Sequence, residues 1–198
     1  MTLICLGDSL TYGYGIPRPR VWPSLLAGAT GLRVYNWGIN GDTTGGMLAR
    51  FQAHGAARDA HAAILMGGFN DLALGAELGV VKANIFALVQ QCFNARIKPL
   101  LGIPIPVRHP ITFPLLASMD VARACAAYED LRLWLRSLAE DFSLLKVDFY
   151  RCFEEISASA MQGGDRATFD ALYTDGLHAS EAGHVLMAQE AARVIRGV

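Results

Sequence analysis

The chain has 198 residues, 53% of them hydrophobic and 18% charged, so it carries ample apolar material for a packed core and lies far from the composition of disordered chains. Its 17 Lys and Arg against 18 Asp and Glu give a net charge of -1, which excludes the basic stripe of a nucleic-acid binder and points to small-molecule partners. No apolar run approaches the roughly 20 residues of a membrane span, and no shift in composition divides the chain, so residues 1–198 read as one domain without stable membrane insertion.

Residues 2–6 are a short apolar run closed by Gly7, the pattern of a buried strand. This start lacks the positive segment and cleavage site of a secretory signal, so a cytoplasmic location is expected. In the following Gly7-Asp8-Ser9-Leu10-Thr11-Tyr12-Gly13, glycines permit a tight strand-to-helix turn that sets Ser9 near a helix N-terminus. A hydroxyl beside backbone N–H groups suits an acyl-transfer nucleophile, although a serine placed there more often only caps the helix. A second run, 33–36, leads into Asn36-Trp37-Gly38-Ile39-Asn40-Gly41-Asp42-Thr43-Thr44, which offers a glycine N–H and lets Asp42 or Thr43 cap a helix. The third run, 62–66, ends in Gly67-Gly68-Phe69-Asn70-Asp71 and places an amide side chain at a strand end. Either segment alone reads equally well as a turn, because Asn, Asp and Gly are ordinary turn formers.

Leu78, Val81, Ile85, Leu88 and Cys92 then share one helical face. A fourth strand at 99–103 opens into a Pro-rich stretch, 104–114, and Val121, Cys125, Tyr128, Leu131, Leu135 and Leu138 mark a second long helix. After a fifth strand at 144–147, a last helix spans 180–196, with Ala188, Ala191 and Ile195 on one side and Ser180 as N-cap. Strands that are apolar throughout and separated by helices imply a five-stranded parallel sheet covered on both faces, a three-layer α/β/α sandwich. Ligands of such sheets bind beyond the carboxyl ends of the strands, where the polar, glycine-rich segments lie.

A serine needs a base to take its proton and a carboxylate to hold that base in one tautomer. Of the five histidines, His54 and His61 flank a polar connection and read as surface residues, while His109 in the Pro-rich stretch is placed to touch substrate. His184 falls on the core side of the last helix as a packed residue. His178, in Asp175-Gly176-Leu177-His178, is the expected base, since a bend at Gly176 lets Asp175 reach back to its Nδ1. Asp8, Asp42 and Asp71 share this end of the sheet, but no set of histidines accompanies them, so metal binding is the weaker reading. Cys5, Cys92, Cys125 and Cys152 show no paired spacing and read as packed thiols.

Together the four segments resemble the SGNH hydrolases, the GDSL family, across residues 5–184. The resemblance implies a flavodoxin-like sandwich with Ser9 as nucleophile, His178 as base and Asp175 as its partner. It implies an oxyanion hole from the Ser9 and Gly41 N–H groups and the Asn70 amide, no cofactor, and an ester or thioester as substrate. The bacterial thioesterase, lysophospholipase and arylesterase branch is the most similar. An α/β-hydrolase elbow, G-x-S-x-G, is disfavoured, because Thr11 stands where its second glycine would be and Asp175 precedes His178 by only three residues. The loop 104–116 reads as an apolar acyl wall through Ile105, Val107, Ile111, Phe113 and Leu115 with a polar rim of Arg108 and His109, joined by Leu10 and Phe69, and favours short to medium acyl esters over acetylated carbohydrate. The competing readings are a carbohydrate acetylesterase of the same family, a flavodoxin-like protein whose Gly7–Gly13 loop cradles a cofactor phosphate, and a catalytically silent binding module. Asp8 would repel a phosphate, and a silent module would need neither Ser9 nor His178.

Overall fold

The structure is a computed structural model that describes residues 1–53, 59–163 and 166–197. Its strands β1 Thr2–Gly7, β2 Arg33–Gly38, β3 Ala62–Met66, β4 Lys98–Ile103 and β5 Leu145–Asp148 form one parallel sheet in the order β2-β1-β3-β4-β5. All four pairings are parallel, with Leu3 opposite both Val34 and Ala62. The helices are α1 Ser9–Tyr12, α2 Trp22–Thr30, α3 Thr44–Ala53, α4 Phe69–Ala73, α5 Leu78–Asn94, α6 Val121–Asp141, α7 Phe149–Gly163, α8 Arg166–Asp170 and α9 Glu181–Ile195.

Side chains alternate across each strand, so a strand buried on both faces feeds two cores. Ile4, Leu6, Ala63, Leu65, Leu101 and Ile103 point into the first, with Met47 and Phe51 of α3, Val81, Ile85 and Leu88 of α5, and Tyr128, Leu131 and Leu135 of α6. Leu3, Cys5, Ile64, Met66, Leu100 and Val147 point into the second, with Trp22 and Leu26 of α2, Phe149 and Phe153 of α7, and Met187 and Ala191 of α9. The expected three-layer α/β/α sandwich is the result. β2 departs from the apolar-throughout pattern: as an edge strand it alternates at its start, leaving Arg33 and Tyr35 exposed. Helices α2, α4, α7 and α8 escaped the sequence reading, although Phe149, Phe153 and Ile156 of α7 carry a helical period. His54 lies outside the described residues. Among the described residues, no helix is long and apolar enough to cross a membrane.

In this strand order β1 lies between β2 and β3, so the chain leaves β1 toward one edge and later returns on its other side. That is the switch point where such sheets open a crevice at the carboxyl ends of their strands. The segments after β1, β2 and β3 meet there.

Candidate active site

At the end of β1 the chain turns with little space to spare. A Cβ on Gly7 would stand 2.2 Å from Thr11 Oγ1 and 2.4 Å from the Met66 carbonyl oxygen. Asp8, and not Ser9, is the N-cap of α1: its Oδ1 accepts from the Leu10 N–H at 2.9 Å. The cap being filled by its neighbour, Ser9 keeps its hydroxyl for another partner, and Oγ lies 3.0 Å from His178 Nε2. His178 Nδ1 lies 2.7 Å from Asp175 Oδ2, while Asp175 Oδ1 accepts from the His178 and Leu177 N–H groups at 2.8 and 3.0 Å. This tight reversal needs Gly176, whose φ is 86°. A hydroxyl bonded to an imidazole that a carboxylate orients is the arrangement in which a serine can shed its proton on attacking a carbonyl.

After β2, the Asp42 N–H donates to the Ile39 carbonyl at 3.2 Å and closes a turn whose third residue, Gly41, has φ 75°, the position where glycine is favoured. Thr43 Oγ1 accepts from the Gly46 N–H at 3.1 Å in the first turn of α3. After β3, Asn70 in α4 donates one amide hydrogen to the Asp42 carbonyl at 2.9 Å, which leaves its second for a ligand. Asp71 accepts from the N–H and hydroxyl of Thr44, at 2.9 and 2.6 Å, and clamps α3 to α4. Ser9, Gly41, Asn70 and His178 line one cavity of about 290 Å³.

The rest of that lining differs from the expected wall. Tyr14, Asn40, Ala73, Leu74, Phe113, Leu115, Leu116, Met119 and Leu177 supply it, so Phe113 and Leu115 are the expected wall residues among them. Leu10 and Ile105 are buried in the second core, Phe69 packs on Tyr128 in the first at a ring distance of 5.1 Å, and Val107 leans on that same core. His109 is exposed outside the cavity lining. The reason is the course of the loop after β4: its first part, residues 105–112, runs back against the Asp175 turn, and its end, at Phe113, Leu115 and Leu116, reaches the cavity. Tyr173 Oη donates to the Pro106 carbonyl at 2.9 Å, Arg108 N–H to the Gly176 carbonyl at 2.8 Å, and Thr112 N–H to the Asp175 carbonyl at 2.8 Å. Tyr14 was not singled out in the sequence, yet its ring centroid lies 4.6 Å from that of His178, with Phe113 at 4.9 Å on another side. A second hollow of about 500 Å³ between α2 and α9, lined by Leu25, Val185 and Ala188 among others, brings no nucleophile and base together.

Burial sets the charges around the site. It pushes the Asp8 carboxyl up to about 7 against the pull of the Leu10 N–H, and the nearby Asp42 and Asp71 raise it further. Burial pulls Asp175 upward too, but hydrogen bonds from the His178 ring and N–H outweigh it and leave that carboxyl below 3.8. His184 is buried with Nδ1 3.2 Å from the Trp22 N–H; burial, then His178, lowers its pKa to about 4. It is a packed histidine, and His61 is exposed with Nδ1 accepting from the Thr2 N–H.

Asp8 and His184 oppose one another in the dependence of stability on pH. Folded Asp8 holds its proton from the unfolded value of 3.8 up to about 7, so its contribution is lost as pH rises through that window. Folded His184 refuses a proton from 6.5 down to about 4, so its contribution is lost as pH falls. Asp8→Asn, which retains a capping oxygen, is expected to make the melting temperature climb more steeply between pH 4 and 6.5 than in the wild type. A thermal melt series in that range checks this, and an unchanged slope would refute the burial of an ionisable Asp8.

Among the described residues, no three His, Cys, Asp or Glu side chains converge as metal ligands. Asp8, Asp42 and Asp71 each turn toward protein donors: Leu10, Arg50 and Thr44. Cys5, Cys92 and Cys152 are buried thiols, and Cys125 is partly buried.

The GDSL-like Lipase/Acylhydrolase family model matches residues 5–186. A curated arylesterase of Vibrio mimicus is 49% identical over 53 residues, a match covering 24% of this chain and about a quarter, 26%, of that protein. A lipolytic protein of the G-D-S-L family from Veillonella parvula superposes with a TM-score of 0.80 over the whole of both chains at 22% identity. A carbohydrate acetylesterase from Sinorhizobium meliloti does so at 0.75, with 17% identity over 99% of this chain and 98% of that one. At such identities the structures speak for the fold, and the family model for the lineage. The match spans Ser9, Gly41, Asn70 and His178, and the chain belongs to the GDSL-like lipase/acylhydrolase family and is a carboxylic ester hydrolase.

Proposed function

We propose that the chain, acting as one hydrolase domain, cleaves short to medium acyl esters by acyl transfer through Ser9. The observation that carries this reading is the run Asp175–His178–Ser9, at 2.7 and 3.0 Å, opening into a cavity that Gly41 and Asn70 also line. Ser9 Oγ attacks the carbonyl as His178 Nε2 takes its proton, and Asp175 holds the Nδ1–H and the positive ring that forms. The oxyanion lies between the Ser9 N–H, the Gly41 N–H and the free hydrogen of the Asn70 amide. Collapse expels the alcohol or thiol, which leaves with the proton from His178. Water repeats the sequence and releases the acid.

The cavity, at about 290 Å³, is small beside most ligand pockets, and Leu74, Leu115, Leu116 and Met119 make its wall apolar, which suits a short acyl chain. The leaving group must sit by His178, where Tyr14 and Phe113 present their rings, so an aryl or other apolar alcohol is favoured there. Beyond Ser9, Asn70 and His178, the polar side chains of this lining are Asn40 and Tyr14, few for the hydroxyls of a sugar. A phosphate cradle gains no support, since the Ser9 hydroxyl is engaged by His178.

Treatment with a fluorophosphonate should add the phosphonyl group to Ser9, found by peptide mass spectrometry, and stop hydrolysis of p-nitrophenyl acetate, butyrate and octanoate in proportion. Before treatment the acetate and butyrate esters should turn over faster than the octanoate. An adduct on another residue, or hydrolysis that survives full labelling, would sink the mechanism; octanoate preference would sink the short acyl site.

A further inference from the structure

We propose that Arg50 is a positioning residue for the oxyanion hole, tying together the three segments that carry its donors; this rests on the roles given above to Ser9, Gly41 and Asn70. Arg50 projects from α3 back toward the strand ends. Its Nε donates to Asp42 Oδ2 at 2.7 Å and its Nη2 to the Gly7 carbonyl at 2.9 Å. The Arg50 and Asp42 side chains are 14% and 11% exposed, so water screens this pair far less than it does a surface ion pair.

Each oxyanion donor is one short step from these two anchor points. Ser9 N–H follows Gly7 by two residues across a capped turn. Gly41 N–H belongs to the residue before Asp42, inside the turn that the Asp42 N–H closes. The Asn70 amide donates to the Asp42 carbonyl itself. The Gly7 carbonyl also accepts from the Ile39 N–H at 3.1 Å, so strand end and turn already touch, and the guanidinium locks the contact from the side. Helix α3 is shaped to allow this: a Cβ on Gly46 would stand 2.0 Å from Asp42 Oδ1. A planar guanidinium holds two acceptors at a fixed angle, which a lysine ammonium does not.

Arg50 is not among the cavity-lining residues, so it acts through others. Donors held in place matter most when charge develops on the oxygen, so its loss should appear in kcat. With p-nitrophenyl butyrate as probe, Arg50→Met is expected to lower kcat about 10- to 100-fold with KM changed less than about twofold. In an Asn70→Ala background the same substitution should cost at least about threefold less, because the donor oriented by Asp42 is already gone. Arg50→Lys should restore only part of the activity, and carries the same cycle should Arg50→Met not fold. Arg20→Gln, which breaks an exposed pair with Glu181, should leave activity unchanged. Equal losses in both backgrounds, a loss confined to KM, or full activity in Arg50→Met that still depends on Ser9 would overturn the role. Activity that survives Ser9→Ala would instead overturn the reading beneath it.

Discussion

Ser9→Ala is expected to lower kcat for p-nitrophenyl butyrate on the order of 10⁴-fold or more while leaving the protein folded. Removing one oxygen deletes the nucleophile and leaves the Asp175–His178 pair facing the cavity. The turn should hold, because Asp8 and not Ser9 caps α1, and because the packing at Gly7 involves Thr11 and Met66. The remaining donors can still polarise a carbonyl for attack by water, so a trace of catalysis over solution should persist. His178→Ala should cost nearly as much, and the double variant little more than either, since a base without its nucleophile has no proton to take. These are steady-state measurements on freshly purified variants, with melting temperatures within a few degrees of wild type as the check on folding. Substantial turnover in Ser9→Ala, or losses that multiply in the double variant, would show that the two residues do not act as one unit.

The polar part of this site was legible in the sequence and the apolar part was not, and the reason is physical. Ser9, Gly41, Asn70 and the Asp175–His178 pair each sit in a short segment directly after an apolar strand or before a helix. A parallel sheet brings all such segments to one edge, so local pattern was enough to gather them. An apolar side chain carries no comparable mark, because core and pocket wall ask for the same residues. Ile105 and Leu10 went to the second core, Phe69 to the first, and beside the expected Phe113 and Leu115 the wall came from Tyr14, Leu74, Met119 and Leu177, four residues far apart in the chain. Arg50 likewise gives no sign in sequence that its partners lie eight and forty-three residues away. The fold was easier: two helical faces, at Leu78 to Cys92 and Val121 to Leu138, had the right period. The edge strand β2 still broke the rule of continuous apolar runs, since a strand with one neighbour exposes part of its surface.

Gly176→Ala tests whether the first part of the loop after β4, expected as substrate wall, braces the Asp175 turn instead. A Cβ at Gly176 would stand 2.3 Å from the Arg108 carbonyl oxygen, 2.7 Å from that of Pro110 and 3.2 Å from Ile111 Cα. These are backbone atoms, so no side-chain rotation relieves the clash, and φ at 86° adds strain for any L residue. Loop and turn must separate, which breaks the bonds from Arg108 N–H to Gly176 and from Thr112 N–H to Asp175 and shifts the carboxylate away from His178. The expected cost is about 3 kcal/mol or more of stability, a fall of about 6–12 °C in melting temperature. A displacement of about 1 Å at the orienting carboxylate should lower kcat/KM about 100-fold. Gly31→Ala separates the two causes: φ there is 69°, but nothing lies within 4 Å of the new Cβ and the site is distant. It should cost about 1 kcal/mol through strain alone and leave kcat/KM unchanged. If Gly176→Ala behaves like Gly31→Ala in both measurements, the loop does not brace the Asp175 turn, and its contribution reduces to the Phe113, Leu115 and Leu116 side chains that reach the cavity.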